Sequence, residues 1–555
     1  MSMHNSIGGD PRKVIGCSVI ALVVSGHAIM RSALHGTQAA DAIPPLVSAV
    51  WKQDLDTVKQ LLAEGADPTA HIVGDRAAWM WAIVARDDRA TELLLSKVTS
   101  VDHAVALLYA ANRNDVPLAR ALFARNMPID ARAIDGSTAL MIAAASGHLE
   151  MLRLLIDRGA NVNLADDHDD TALMAAVRAG SLDSVNALLA AGADVDAADT
   201  ERRTALAWAL RSRRPDVVNA LRAKGARGDT TETAKPPPSV RVAVERSLPL
   251  IQRGTATWNQ RRRCTSCHHH PLMFRATAVA RRQGFAVDAR LLDAQIQRAR
   301  DETVRFEANA RESLAREAGV LSESLRFGGD ASFGIPWFLS RFADARLPLA
   351  HEQEALLLAR MQLKDGRWRH GPARVPIESS DFTATATAIR SLQVYGSPGD
   401  APELNSGIKR AVAWLRSATP VTTDDKAFRL FGLHWSNVDP AVIRDAVALL
   451  RREQHPDGGW AQLAGLNSDA YATGLVLVAL HEAGEVSPDD PGYQRGVKYL
   501  LETQERDGSW LVHKRAVPVN EYFESGFPHG KFQFISYAAT CWATMALSYA
   551  ASPTR

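Results

Sequence analysis

Two cysteines three residues apart, followed directly by a histidine, are the residues of this sequence best suited to chemistry. Cys264 and Cys267 are two of only four cysteines in the 555-residue chain, His268 follows at once, and three arginines (261–263) lie just upstream. Two thiols at this spacing reach both vinyl groups of one haem, and the adjacent imidazole can bind its iron. The spacing therefore predicts a covalently held haem with His268 as its proximal ligand.

This segment resembles the haem-attachment site of c-type cytochromes, and the resemblance implies haem c as the cofactor. Other interpretations stay open. Zinc could be held by Cys264, Cys267 and neighbouring histidines, although closed zinc sites usually draw their ligands from two separate segments. The two cysteines could instead form a disulfide or redox pair, or the segment could be a simple turn with a histidine run.

A short apolar segment near the N-terminus predicts export, which this kind of haem attachment requires. Arg12 and Lys13 precede the apolar run 14–26, whose 13 residues are too few to span a bilayer comfortably. Small residues suited to a cleavage site follow, up to Ala40. We expect residues 1–40 to be a signal peptide that sends the chain to the bacterial periplasm. The alternative is an uncleaved anchor, which would be the only membrane attachment.

The composition excludes several classes of protein. The chain has 64 basic and 62 acidic residues, a net charge of +2, whereas a dedicated nucleic-acid binder normally has a strong basic excess. Hydrophobic residues make up 46% of the sequence, which excludes disorder as the dominant state. Four cysteines are too few for a disulfide scaffold. A chain of 555 residues predicts two to four domains.

The first half of the chain repeats itself. Thr138, Thr171 and Thr204 are spaced by 33 residues, and each begins two short helical patterns split by a turn. A single unit of this kind cannot bury its apolar face, so neighbouring units must stack. The units resemble ankyrin repeats, which implies about six of them over residues 44–228, clearest at 136–226, and a protein partner bound by them. A rigid spacer or an internal lid for the second half is the alternative.

Three copies of one turn mark the second half, which follows a Pro-rich linker at residues 229–239. The turn reads Gln-x-x-Asp-Gly-x-Trp and begins at Gln362, Gln454 and Gln504. Each copy separates two apolar helical stretches, because glycine accepts the positive φ that ends a helix. Together with less regular units, the pattern predicts six helical hairpins over residues 240–550, and six hairpins close naturally into a ring.

The repeated turn resembles that of the squalene/hopene cyclase and protein-prenyltransferase superfamily. The resemblance implies an (α/α)6 toroid in which the turn is structural: its Gln bonds a neighbouring helix end and its Trp packs at the rim. We therefore predict an all-α protein, an ankyrin solenoid followed by a toroid. The resemblance also implies that the toroid holds a hydrophobic small molecule.

The catalytic motifs of this superfamily are incomplete here. Its cyclases protonate an alkene with an Asp-x-Asp-Asp cluster, whereas the run Thr422–Asp425 lacks the first Asp. Single acids, Asp381 and Asp469, begin the corresponding helices, and a lone Asp at that position is more often an N-cap than an acid catalyst. Tyr471 occupies the position of the Cys that binds zinc in prenyltransferases. The fold resemblance therefore does not by itself carry the activity.

These observations favour an exported interaction scaffold whose toroid binds haem c through Cys264, Cys267 and His268, for electron transfer or ligand binding. The first alternative is a terpene-cyclase-like enzyme acting on a hydrophobic substrate, for which Asp381 and Asp469 are weak catalytic candidates. The second alternative is a structural interaction protein with a zinc or disulfide site. No nucleic-acid partner is expected.

Overall fold

The structure, a computed structural model, describes residues 45–551 except for 52, 70, 73–75, 85–86, 126, 213, 229–235, 262–268, 302–351, 370–374, 378–379, 484–485 and 518–523. The predicted N-terminal signal and the cysteine motif lie outside the described residues. Among the helices that are described, none is both long enough and apolar enough to cross a membrane.

Six pairs of short helices form the first half of the chain. They are α1 Pro45–Trp51, α2 Leu55–Ala63, α3 Ala78–Val84, α4 Asp88–Leu95, α5 Ser100–Arg113, α6 Val116–Phe123, α7 Ala139–Ala145, α8 Leu149–Asp157, α9 Ala172–Ala179, α10 Leu182–Ala190, α11 Ala205–Arg211 and α12 Pro215–Ala223. A short antiparallel hairpin, β1 His71–Ile72 with β2 Arg76–Ala77, precedes α3. Successive pairs pack on one another and share one apolar core.

The 33-residue spacing of threonines has a local cause. Thr138, Thr171 and Thr204 are the N-caps of α7, α9 and α11, and each hydroxyl accepts a hydrogen bond from the backbone N–H three residues later. Each threonine also forms a single β-bridge to the residue six positions earlier. The bridge closes a short loop, here called a finger, at residues 132–138, 165–171 and 198–204.

Ten helices form most of the described part of the second half. They are α13 Val240–Arg261, α14 His269–Arg282, α15 Glu352–Arg360, α16 Asp381–Tyr395, α17 Ala401–Ser417, α18 Thr423–Trp435, α19 Pro440–Arg452, α20 Ala470–Glu482, α21 Pro491–Thr503 and α22 Gln533–Ala550. Helices α14, α16, α18, α20 and α22 make an inner layer, and the others pack outside it. Helix α20 is buried on every side from Ala470 to Leu480, as an inner helix must be.

The end of the chain packs on the start of this domain and closes the ring. Tyr537 and Thr544 of α22 reach α13, where the hydroxyls of Thr255 and Tyr537 lie 2.6 Å apart and Thr544 Oγ1 donates to Ser247 Oγ at 2.7 Å. The fold is therefore the predicted one, an all-α ankyrin solenoid followed by a toroid.

The repeated turns tie neighbouring outer helices together. Gln454 Nε2 donates to the carbonyl of Gly458 at 2.8 Å within the turn and to that of Gly492 in α21 at 2.7 Å. The indole of Trp460 donates to the carbonyl of Leu450 in α19 at 2.8 Å. Gly458 has a φ of +90°, and a Cβ there would collide with the carbonyl of Arg495. The turns at Gln362 and Gln504 make the same set of contacts.

We expect Trp460→Ala to destabilise the ring by about 3–5 kcal/mol, because it removes a fully buried indole and leaves a cavity. Trp460→Phe keeps most of the volume and loses one hydrogen bond, so about 1 kcal/mol is expected. Urea unfolding of the two variants measures both changes. An alanine variant as stable as the wild type would show that this turn does not hold the ring.

Candidate acid site

The fingers of the ankyrin repeats lie against the ring. Lys514 Nζ contacts Asp135 Oδ2 at 2.5 Å, and Lys531 Nζ contacts Asp166 Oδ2 at 2.7 Å; both carboxylates belong to fingers. Elsewhere on this face the backbone N–H of Asn467 donates to the carbonyl of Ala179 at 2.9 Å. Ankyrin repeats are a protein-interaction module, and in this structure the surface that they bind is the ring of the same chain.

One ring segment, residues 511–517, lies along this interface. His513 packs edge-on against Trp208, with 5.2 Å between ring centroids. Asn112 Nδ2 of α5 donates to the backbone carbonyl of Arg515 at 2.6 Å. Val517 belongs to the apolar core of the repeats rather than to that of the ring. The repeats thus position the segment that carries Arg515.

The Arg515 side chain enters the ring at the N-terminal ends of the inner helices. Its Nε donates to Gln462 Oε1 at 2.8 Å, and Gln462 Nε2 donates to Asp469 Oδ2 at 3.0 Å. Asp469 is the N-cap of α20 and accepts from the N–H of Ala472 at 2.9 Å. Burial raises the pKa of Asp469 to about 6, although these hydrogen bonds and the charge of Arg515 oppose the shift.

Asp424 is the group best suited to hold a proton. It lies in the first turn of α18, is 2% exposed, and accepts at Oδ1 a hydrogen bond of 2.8 Å from the hydroxyl of Tyr471. Burial raises the pKa of Asp424 to about 8, and the neighbouring charge of Asp425 acts in the same direction. Asp424 is therefore mostly a neutral carboxylic acid at pH 7.

Asp425, the next residue, has a structural role. It accepts from the hydroxyl of Ser380 at 2.6 Å and from the N–H groups of Val421 and Thr422 at 2.9 and 2.8 Å. Thr422 completes the capping box by accepting from the Asp425 N–H. The position at which the Asp-x-Asp-Asp pattern lacks its first acid is thus occupied by the N-cap of α18.

Aromatic side chains follow Asp424 along α18. Phe428 and Phe431 follow one and two turns later on α18, and Phe431 stacks near Trp542 of α22, with 6.5 Å between centroids. The guanidinium of Arg275 lies 4.9 Å from the centre of the Phe431 ring and is ion-paired with Glu482 at 2.5 Å. Aromatic faces favour positive charge, and this aromatic surface already contacts one cation.

A cavity between the two domains reaches Arg515. Met141 and Arg178 of the repeats line one side of it, and Lys514, Arg515 and Phe532 of the ring line the other. The cavity therefore connects the domain interface with Arg515, which donates to Gln462 beside the buried Asp469.

Of the two acids proposed from the sequence, the structure brings only Asp469 into this cluster. Asp381 lies in the first turn of α16, where Ser380 is the N-cap, and its carboxylate contacts Arg367 Nε at 3.1 Å with 31% of the side chain exposed. Its surroundings are those of a surface ion pair.

The haem site predicted at Cys264, Cys267 and His268 lies outside the described residues, so haem c, with zinc as its alternative, stays a prediction. Just after the motif, His270 is buried and its Nε2 lies 3.0 Å from Gln295 Oε1. Within the described ranges, no group of three or more His, Cys, Asp or Glu side chains is placed to hold a metal ion.

The sequence alone does not single out Asp424 as an acid, because Thr422–Asp425 lacks the first Asp of the Asp-x-Asp-Asp pattern. The Asp-Asp pair at the start of a predicted inner helix was the available signal. Tyr471, two residues after Asp469, marks in the sequence only the absence of a zinc-binding Cys, and its hydrogen bond to Asp424 depends on the fold. Gln462 and Arg515 carry no sequence signal, since their roles depend on contacts between distant segments.

Comparisons with known proteins agree with the two-part fold. Ankyrin repeats match in three overlapping copies at residues 79–166, 107–199 and 163–232, and the squalene-hopene cyclase C-terminal domain matches residues 418–554. The chain therefore carries ankyrin repeats and a squalene-hopene cyclase C-terminal domain. The second match contains Asp424, Asp469 and Arg515.

Individual relatives match only over short stretches. Squalene–hopene cyclase of Bradyrhizobium diazoefficiens is 43% identical over 68 residues, 12% of this chain and 10% of the relative. Lanosterol synthase of Saccharomyces cerevisiae is 28% identical over 113 residues, 20% of this chain and 14% of the relative. The chain thus spans a small part of these relatives. An ankyrin repeat domain from Acinetobacter baumannii matches 33% of this chain and 98% of its own at 27% identity and a TM-score of 0.31.

Proposed function

We propose that the ring domain is an acid catalyst that protonates a carbon–carbon double bond of a hydrophobic, isoprenoid-like substrate, with Asp424 as the proton donor. The observation that carries the proposal is the burial of the Asp424 carboxyl, which is 2% exposed and accepts a hydrogen bond of 2.8 Å from Tyr471. This burial raises the pKa of Asp424 to about 8, which favours the protonated form at neutral pH. Unlike Asp425 and Asp469, Asp424 caps no helix. A buried acid that caps no helix is a cost to the fold that a catalytic role explains.

The proposed step moves one proton. The Asp424 O–H bond breaks, the π electrons of the alkene form a new C–H bond with that proton, and positive charge develops on the neighbouring carbon. Asp424 is left as a carboxylate. The reaction ends when the cation loses a proton from an adjacent carbon or gains water and then releases a proton, and Asp424 regains its proton.

Tyr471 and Arg515 stabilise the carboxylate that the step leaves behind. The Tyr471 hydroxyl already donates to Asp424, and both this hydrogen bond and the charge of Arg515 act to lower the pKa of Asp424. A raised pKa retains the proton but makes its donor a weaker acid. Groups that stabilise the Asp424 carboxylate therefore aid the proton transfer, while Asp424 stays protonated before the reaction.

The aromatic side chains that follow Asp424 on α18 suit the positive charge that develops on the substrate. Phe431 lies seven residues after Asp424 on α18, about 10 Å further along the helix axis at a rise of 1.5 Å per residue. Aromatic faces stabilise a nearby cation by about 0.5–2 kcal/mol each. Arg275, with its charge balanced by Glu482, marks the far end of this stretch.

The matched relatives support this class of chemistry, since they are named as a squalene–hopene cyclase and lanosterol synthases. Their matched segments include no more than 19% of their length, so the relatives support the class of substrate and Asp424 carries the proposed chemistry.

The test is turnover in heavy water. Full-length protein is incubated in D2O with squalene and with a short acyclic isoprenoid, and products are analysed by mass spectrometry. Protonation by an exchangeable acid places one deuterium on the product carbon that received the proton. Asp445→Asn, at an exposed position on outer helix α19, serves as the control and should react as the wild type does. Absence of turnover with every substrate, or products without deuterium, would contradict the proposal.

A further inference from the structure

We propose that the ankyrin repeats complete the acid site by holding Arg515 in place, and that Asn112 is the positioning residue that does so. The inference rests on the proposed role of Asp424. It extends that role to a residue 403 positions away from Arg515 in the sequence, in the other domain.

The hydrogen bonding of Asn112 is directed to one target. The side chain lies in the last turn of α5 and is 5% exposed, and its Nδ2 donates to the Arg515 carbonyl at 2.6 Å. Within the described structure its Oδ1 makes no hydrogen bond. Leaving a buried amide oxygen unpaired costs about 1–3 kcal/mol. Asn112 is thus poorly explained by the stability of its own repeat and well explained by the contact with Arg515.

Contacts on both sides of Arg515 also come from the repeats. Lys514 pairs with Asp135, His513 packs on Trp208, and Val517 is buried in the core of the repeats. On the ring side, the segment is held at Val512, whose backbone N–H donates a hydrogen bond to Ser536 Oγ at 3.0 Å. The path of residues 513–517, and with it the Arg515 side chain, therefore depends on the solenoid.

The charged groups around Arg515 determine what its displacement does. Asp469, Asp424 and Tyr471 face it from the ring, and His148 faces it from the repeats, where Nδ1 lies 2.9 Å from the carbonyl of Ala111. Asp424 is also influenced by Asp425 and Asp469. Moving the Arg515 guanidinium away removes a charge that stabilises the ionised form of Asp424 and of Asp469, so the pKa of each carboxyl rises.

The experiment follows the carboxyl C=O stretch by infrared difference spectroscopy during a pH titration of the full chain, with the Asp424 band assigned by its loss in Asp424→Asn. Arg515→Gln is expected to shift that titration upward by about one pH unit or more. Asn112→Ala is expected to shift it in the same direction. Where turnover is detected, its pH profile should move with it.

Asn163→Ala is the matched control, because this exposed Asn also donates from Nδ2 to a backbone carbonyl, that of Gly192, but within the repeats. It should leave the titration unchanged. Lys514→Met loosens the same segment by another route and should reproduce the shift if Asn112→Ala folds poorly. A shift in Arg515→Gln alone would overturn the inference. A shift in both variants without turnover of any substrate would leave the positioning role intact and count against the proposed reaction.

Discussion

Asp424→Asn is expected to lower turnover by about 10³-fold, because the amide has no acidic proton to give and general acids typically contribute 10²–10⁴-fold. The asparagine Oδ1 still accepts from Tyr471, so the local geometry is kept. The measurement is the rate of deuterated product formation under saturating substrate. A variant that retains a tenth or more of wild-type turnover would exclude Asp424 as the donor.

The same substitution is expected to stabilise the protein at neutral pH. Between the unfolded pKa of 3.8 and the folded value of about 8, the native state keeps a proton that the unfolded state releases. Stability of the wild type therefore falls as pH rises through this window. Asparagine has no such dependence, so the gain at pH 7 should be about 2–4 kcal/mol and should vanish near pH 4. Urea unfolding at several pH values gives the two curves.

Asp425→Asn provides the contrast within one turn of helix. Its carboxylate caps α18 and bonds Ser380, so its loss should destabilise by about 1–2 kcal/mol. Opposite signs for the two neighbouring substitutions would separate the catalytic acid from the structural one. Equal signs would mean that Asp424 is also part of the cap.

Lys531→Met is expected to weaken the attachment of the repeats to the ring by about 3–5 kcal/mol, since Asp166 is left buried and charged without its ion-pair partner, whereas Asp170 keeps Arg178. The side chains of Lys531, Asp166 and Asp170 are 9%, 6% and 7% exposed, and Lys531 contacts both carboxylates. Hydrogen exchange of residues 511–517 and of the fingers should increase, as measured by mass spectrometry.

Lowering the pH should weaken the same contact between Lys531 and Asp170. Arg178 and Lys531 overcome the effect of burial and lower the pKa of Asp170 to about 2. The ion pair therefore contributes stability above the unfolded pKa of 3.8, and this contribution is lost as pH falls toward 2. Lys498→Met, at a position 73% exposed on outer helix α21, is the control and should change exchange little. Unchanged exchange in Lys531→Met would show that other contacts hold the interface.

Much of the architecture could be predicted from the sequence, because it depends on short-range patterns. The threonines at 33-residue spacing are helix caps that bond three residues away, and the Asp-Gly turns end helices through backbone conformation. Such signals lie within a few residues of one another. They predict the stacked repeats and the ring of hairpins, whereas the structural nature of the Gln-to-Trp turns is implied by the family resemblance.

The acid site was decided by tertiary structure. The pKa of Asp424 rises because distant helices exclude water from it, and Arg515 reaches Gln462 because the repeats hold its segment from a residue 403 positions away. Asp381 and Asp469 look alike in sequence, yet one is ion-paired near the surface and the other is buried among acids. Burial and charge proximity belong to the packed chain, so no local pattern distinguishes the proton donor from a helix cap.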